Sequence, residues 1–264
     1  MSHDADAAQT TSPDRRSARR ILIVGGVAGG ASCAARLRRL DESVEIAIFD
    51  RGPYVAFANC GLPYYVGDVI ADERTLLVSS PEMFRERFNI EVHTSTDVVE
   101  IYPAAHTVSV RDLRTGNGRT ERYDALVLSP GAAPIRPQVP GVDLPGVFAV
   151  RNIPDSRRIR SWIADRRAST AVVVGGGFIG LEMVENLIHR GLSVTVLEKL
   201  PQVMPPLDPE VAVPLTEHLI AKGVQLHLGD GLARIEEGAD SRLIVVAESG
   251  AGFPADLVIL AIGV

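Results

Sequence analysis

Cysteine, lysine and tryptophan are scarce in this 264-residue chain, which holds two, two and one of them. Cys33 and Cys60 are too few for the disulfide framework of a secreted scaffold. A reducing cytoplasm is therefore the expected setting, where a lone thiol is free to react. Positive charge is also short. Against 33 acidic residues stand 27 basic ones, a formal net charge of −6. That balance argues against a nucleic-acid binder driven by phosphate contacts. Only Lys199 and Lys222 are lysines, and the arginine bias reads as GC-rich coding, not function. No run approaches the ~20 apolar residues of a membrane span, so no membrane partner is expected. Residues 19–35 place two arginines before an apolar stretch that ends near Cys33, superficially like an export signal. Glycine breaks that stretch, and Arg36, Arg38 and Arg39 follow at once, which disfavours the signal reading. The six histidines show no metal-ligand spacing, and no metal site is expected.

Glycine, by contrast, is plentiful and clustered: 24 residues, in a chain that is 46% apolar. The length fits about two domains. Residues 1–20 are polar and aperiodic and read as a disordered lead. Ile21–Val24 is a short buried-strand run, Ala31–Leu40 has helical spacing, and Val44–Phe49 is a second strand. Residues 51–67 are loop-like, and 81–88 reads as a helix. Strands follow near 90–93, 98–101, 107–112 and 120–123, with Thr115-Gly116-Asn117-Gly118 as a turn. Ala125–Leu128 reads as another buried strand, and the prolines of 134–145 as a crossover linker. The pattern then restarts: helix 155–164, strand 170–174, helix 178–189, strand 194–197. Pro201, Pro205, Pro206 and Pro214 bracket a turn and a helix around 211–221. Strands are expected near 224–228, 233–236 and 243–247, then an apolar run over 257–262. Because Gly25 and Gly175 open equivalent units, the fold class is α/β, two tandem Rossmann-like dinucleotide-binding domains over 21–150 and 151–264.

Gly175-Gly176-Gly177-Phe178-Ile179-Gly180 completes G-x-G-x-x-G between a strand and a helix. Gly175 allows the tight turn, Gly177 the approach of a pyrophosphate, and Gly180 close helix–strand packing, while the helix N-terminus offers amide donors. Glu198 lies 18 residues past Gly180, where an acid meets a ribose hydroxyl and disfavours a 2′-phosphate. NADH is expected over NADPH, a preference that Lys199 weakens. In the first unit, Gly25-Gly26-Val27-Ala28-Gly29-Gly30, Val27 replaces the second glycine, and Asp50 lies 20 residues past Gly30. Two such turns in one chain point to electron transfer between a flavin and a nicotinamide.

A redox group for the second half-reaction is Cys60, in Phe57-Ala58-Asn59-Cys60-Gly61-Leu62-Pro63-Tyr64-Tyr65. This Gly/Pro-punctuated loop can open a helix, whose N-terminus favours thiolate. No second cysteine lies four or five residues away, so the partner must be an external thiol, a persulfide or oxygen chemistry. Cys33 reads as core packing within the first helix.

The runs 21–40, 49–67, 123–134 and 171–198 resemble coenzyme A-disulfide reductases of the pyridine nucleotide–disulfide oxidoreductases, alongside NADH oxidases and persulfide reductases. The resemblance covers nearly all of 21–264, and the segment around Cys60 is its most specific part. It implies FAD and NADH as cofactors, with NADPH possible. It makes Cys60 the redox nucleophile beside the flavin and Asn59 its neighbour. Gly25, Gly26, Val27, Ala28, Gly29, Gly30, Asp50 and Arg51 would hold the FAD adenosine half, with Val98 on the adenine. Ser129, Pro130, Gly131 and Arg151 would flank the flavin. Gly175, Gly177, Ile179, Gly180, Glu198 and Gly263 would serve the second nucleotide. Phe178 would gate the flavin face and Glu182 would help place the nicotinamide. Ser32, Arg36 and Arg39 share a helical face by spacing, and by resemblance would hold the substrate's phosphates.

The implied reaction passes electrons from NADH through FAD to a mixed disulfide on Cys60, with coenzyme A disulfide or a related persulfide as substrate. The alternatives are an NADH oxidase or peroxidase cycling through a sulfenic acid, and a nucleotide-binding fragment without turnover. Relatives carry a second FAD motif and a C-terminal dimerisation domain beyond this length. The chain therefore reads as a fragment lacking that domain, its full-length parent a homodimer. Gly229-Asp230 is the nearest match to the second FAD motif and is rejected, because it follows Leu226-His227-Leu228 inside the second unit.

Overall fold

The computed structural model describes residues 18–238 and 242–264, so most of the expected N-terminal lead lies outside the described residues. From the N-terminus run β1 (Arg20–Val24), α1 (Gly29–Leu40), β2 (Glu45–Phe49), α2 (Leu62–Val66), α3 (Pro81–Phe88), β3 (Glu91–His93) and β4 (Thr96–Tyr102). β5 (Thr107–Asp112), β6 (Gly118–Arg122), β7 (Ala125–Leu128), β8 (Val147–Phe148), α4 (Ile153–Arg166), β9 (Thr170–Val174) and α5 (Phe178–His189) follow. The rest comprises β10 (Ser193–Glu198), α6 (Pro209–Ala221), β11 (Gln225–Leu228), β12 (Leu232–Glu237), β13 (Leu243–Ala247), β14 (Gly252–Ala255) and β15 (Leu257–Leu260). Among the described residues, no helix is long and apolar enough to cross a membrane.

The chain forms two units, but not by a single cut near residue 150. Of the described residues, the first unit holds those up to Val55 together with Pro81–Pro130; the second holds Ala56–Ser80 and those of Gly131–Val264. The cysteine segment therefore belongs to the second unit. There α2, with Leu62, Tyr65 and Val66 buried, packs against α4 and α5, and arginine contacts described below add to that packing.

In the first unit a parallel sheet has the order β3-β2-β1-β7, and β4-β5-β6 form an antiparallel sheet. Leu22, Ala47 and Phe49 from the parallel sheet share a core with Val108 and Val110 from β5. A strand covered on both faces reads as continuous apolar residues, which explains Ile21-Leu22-Ile23-Val24. β7 departs from expectation. It is the edge strand, paired only to β1, and Leu128 is 58% exposed, so this strand is not buried.

In the second unit a five-stranded parallel sheet has the order β11-β10-β9-β15-β8, and β12-β13-β14 form an antiparallel meander. Val172, Val174, Leu197, Val258 and Leu260 pack with Ile235, Val245 and Ala255 of the meander. α4 opens on a capping box, with Asn152 accepting from the Asp155 N–H and Asp155 accepting from the Asn152 N–H. Pro214 does not bracket α6 but lies inside it. Its missing N–H deprives only the carbonyl of Glu210, and both residues are exposed, so water can take the place of the lost bond.

Candidate functional site

In the second unit, β9 lies between β10 and β15, and its C-terminal end is where the chain leaves in opposite directions along the sheet. Ligands of doubly wound sheets bind in the crevice at such a point. Here a cavity of about 590 Å3 is lined by Gly175, Gly177, Glu198, Lys199, Glu248 and Gly263. Gly180 is required by packing, since a Cβ there would stand 2.0 Å from the Gly175 carbonyl oxygen. Gly177 differs: a Cβ would meet no protein atom within 4 Å. It opens α5 without a side-chain cap, leaving amide donors available to an anion.

Glu198 is buried and already holds protein partners. Its Oε2 accepts from the Gly176 N–H at 2.6 Å and its Oε1 from the Leu200 N–H at 2.8 Å. A carboxylate oxygen has room for a second donor, so the acid both shapes the turn and stays able to accept from ribose hydroxyls. Lys199 and Glu248 line the same crevice, 3.5 Å apart. Glu248 carried no signal in the sequence, because its partner lies 49 residues away.

The first unit repeats this construction. The Gly25 N–H donates to the Phe49 carbonyl at 2.8 Å. Asp50 accepts from the N–H groups of Gly26 and Gly52 at 2.6 and 2.7 Å. Ser129, at the end of β7, donates its N–H to Val24 and stands beside Gly29, with Pro130 following. α1 also starts without a side-chain cap. Val27 is half-buried, while Ala28 and Gly29 are exposed. Arg51 pairs with Asp97 at 3.0 Å, and Val98 packs against the core containing Phe49. Ser32, Arg36 and Arg39 are all exposed on α1. Arg38 is buried instead, donating to the carbonyls of Phe88 and Asn89. Uncapped helix starts, glycine turns and partly engaged acids in both units fit two dinucleotides.

Cys60 stands exposed in a single 3-10 turn, Asn59–Gly61, that runs directly into α2. Asn59 Oδ1, in the residue before Cys60, is buried without a hydrogen-bond partner, an unmet acceptor. α2 is held to its own unit by arginines the sequence did not single out. Arg160 of α4 donates to the carbonyls of Tyr65 and Ile70, and Arg190 after α5 donates to Val66. Both pair with Asp68. These contacts span up to 124 residues, beyond the reach of local pattern reading.

Also in the second unit, Arg151 donates to the Ala132 carbonyl next to Gly131. Phe178 is 64% exposed at the start of α5, and Ile179 is exposed beside it. Glu182, one turn on, is half-buried. Burial, and then the charge of Glu185, pushes its carboxyl above the ordinary range.

Residues 19–264 match the family model described as pyridine nucleotide-disulphide oxidoreductase. The chain is 38% identical over 216 residues to coenzyme A disulfide reductase of Staphylococcus epidermidis, covering 82% of this chain and 49% of that protein. The structure of reduced Bacillus anthracis CoADR-RHD is 46% identical with a TM-score of 0.90, covering 95% of this chain and 44% of that one. A NAD-dependent persulfide reductase from A. fulgidus is 34% identical with a TM-score of 0.87, covering 92% and 45%. The chain belongs to the pyridine nucleotide-disulphide oxidoreductase family, whose enzymes use FAD. It spans about half the length of the curated relatives it matches.

Proposed function

We propose that this chain carries the cofactor-binding and thiol half of a flavin-dependent reductase that takes electrons from NADH and reduces coenzyme A disulfide or a related persulfide. The observation that carries the reading is the crevice of about 590 Å3 where the uncapped glycine turn and Glu198 meet, in a unit that also presents an exposed Cys60. Amides of 177–180 bind the pyrophosphate of the pyridine nucleotide, and Glu198 orients its adenosine ribose. Gly25–Gly30, Asp50 and Ser129 hold FAD in the first unit. FAD held by these residues would supply the acceptor for a hydride from NADH and the source of two electrons for the cysteine.

The Cys60 thiolate attacks one sulfur of the substrate disulfide. A bond forms between Cys60 Sγ and that sulfur, the substrate S–S bond breaks, and the second sulfur leaves as thiolate. Two electrons would then cleave the mixed disulfide into two thiolates: the Cys60 thiolate is restored and the second product leaves as a thiolate that takes a proton from water. Asn59 Oδ1 accepts a hydrogen bond from a group brought to the thiol. Ser32, Arg36 and Arg39, exposed along one face of α1, offer donors and charge to the phosphates of a coenzyme A-linked substrate. A reducing compartment keeps such a thiol free.

The test is the absorbance of the purified chain under anaerobic NADH, followed by coenzyme A disulfide. A bound-flavin band that bleaches with NADH and recovers with the disulfide is the expected result, and Cys60→Ser should bleach without recovery. Recovery in Cys60→Ser with the disulfide would remove the cysteine from the reaction. Absence of flavin with NADH binding retained would leave a nucleotide-binding fragment.

A further inference from the structure

We infer that Glu248 is a specificity-determining residue of the pyridine-nucleotide crevice: by pairing with Lys199 it withholds that lysine from a 2′-phosphate and keeps the site to NADH. This rests on the reading of the Gly175–Gly180 crevice as a pyridine-nucleotide site. Glu198 discriminates only in part. Its two oxygens hold the amides of Gly176 and Leu200, and the adjacent residue is Lys199, a cation on the crevice wall. A cation next to the ribose-binding acid is what an adenosine 2′-phosphate would recruit.

Glu248 answers that cation from the turn between β13 and β14, with Oε1 3.5 Å from Lys199 Nζ. It is not a loose surface acid. Its N–H donates to the Gly231 carbonyl at 2.8 Å. Its carboxylate lies over the Gly231 backbone, so that a Cβ on that glycine would stand 2.6 Å from Oε1. Gly231, Glu248, Lys199 and Glu198 all line the one cavity. The rim thus carries two carboxylates and one ammonium. A ribose hydroxyl tolerates that net negative charge, whereas a phosphate dianion is repelled by it and finds the ammonium already partnered. Lys199 and Glu248 are 74% and 54% exposed, so the effect is moderate and weakens with salt.

NADH and NADPH are titrated against the chain by nicotinamide fluorescence, which reads binding without turnover. Glu248→Gln is near-isosteric and exposed. It should tighten NADPH about fivefold at low ionic strength while moving NADH less than about twofold. Half-molar salt should erase most of that gain, and adding Lys199→Ala should remove the greater part of it, leaving only the relief of direct repulsion. An unchanged NADPH-to-NADH ratio in Glu248→Gln overturns the inference. So does a gain that survives the double substitution undiminished, since the lysine would then play no part. Failure of the unaltered chain to bind either nucleotide refutes the crevice assignment itself, an outcome separate from binding both with an unmoved ratio.

Discussion

Arg160 Nη2 lies 2.5 Å from Asp68 Oδ1, while the same guanidinium covers the Tyr65 ring at 4.5 Å and donates to the carbonyls of Tyr65 and Ile70. One side chain thus ties the segment after Cys60 to α4. Arg160→Met keeps the apolar stem and removes every donor. Charge-assisted bonds of this kind, partly exposed, support a local loss of about 2 kcal/mol. Amide exchange over residues 58–73 should accelerate, and in a Cys33→Ala background the Cys60 thiol should label faster. Unchanged protection would show that the clasp does not restrain the cysteine segment.

That clasp also marks the limit of what the sequence discloses. The glycine turns, their acids and the 81–88 helix are legible because each signal is local: a strand run, a turn residue, a helical period. The two-residue β8 and the strand β14 are too short to show a period. The grouping of 56–80 with the second unit comes from the packing of α2 on α4 and α5 and the contacts of Arg160, Arg190 and Asp68, whose partners lie tens of residues away. The exposure of β7 follows from its place at the sheet edge, and strand order is not written in its four apolar residues. Glu198 shows a subtler gap. Its position is readable from spacing, but its two backbone partners arise from the path of the turn.

Asp230 is the carboxylate most strongly shifted by its hydrogen bonds. Bonds from Ser249 and from His227, the latter at 2.8 Å, hold its carboxyl at about 2. A folded value below the unfolded one contributes stability that is fully present above the ordinary carboxylate range. That stability is lost as pH falls from about 4 toward 2. Asp230→Asn should therefore shrink the drop in melting temperature between pH 6 and pH 3 relative to the unaltered chain. Parallel melting curves would assign the acid sensitivity to Asp41, Asp72, Asp112 and Asp256, which are lowered in the same direction.

Glu182 is shifted the opposite way, first by burial and second by Glu185. Glu185→Gln should lower its titration only part of the way, because burial remains. Its folded value exceeds its unfolded one, so ionising it opposes folding at neutral pH, and Glu182→Gln should raise the neutral melting temperature slightly. Carboxyl-carbon NMR titration of Glu182 in Glu185→Gln decides the first point, and melting curves of Glu182→Gln the second. A full return to the ordinary range in Glu185→Gln would make repulsion, not burial, the cause.

Gly177 and Gly180 separate binding from folding within one turn. A methyl on Gly180 would stand 2.0 Å from the Gly175 carbonyl oxygen. The backbones of β9 and α5 would have to part, at a cost of about 3 kcal/mol or more. On Gly177 the same methyl meets open space, and the residue's extended backbone, φ −82° and ψ −171°, accepts alanine. Gly177→Ala should therefore leave the urea midpoint within about 0.5 kcal/mol of the unaltered chain. The same variant should weaken NADH about tenfold, because the methyl occupies the path of the pyrophosphate. Equal NADH affinity in Gly177→Ala would mean that the nucleotide does not pass over this residue, and the crevice would lose its assignment.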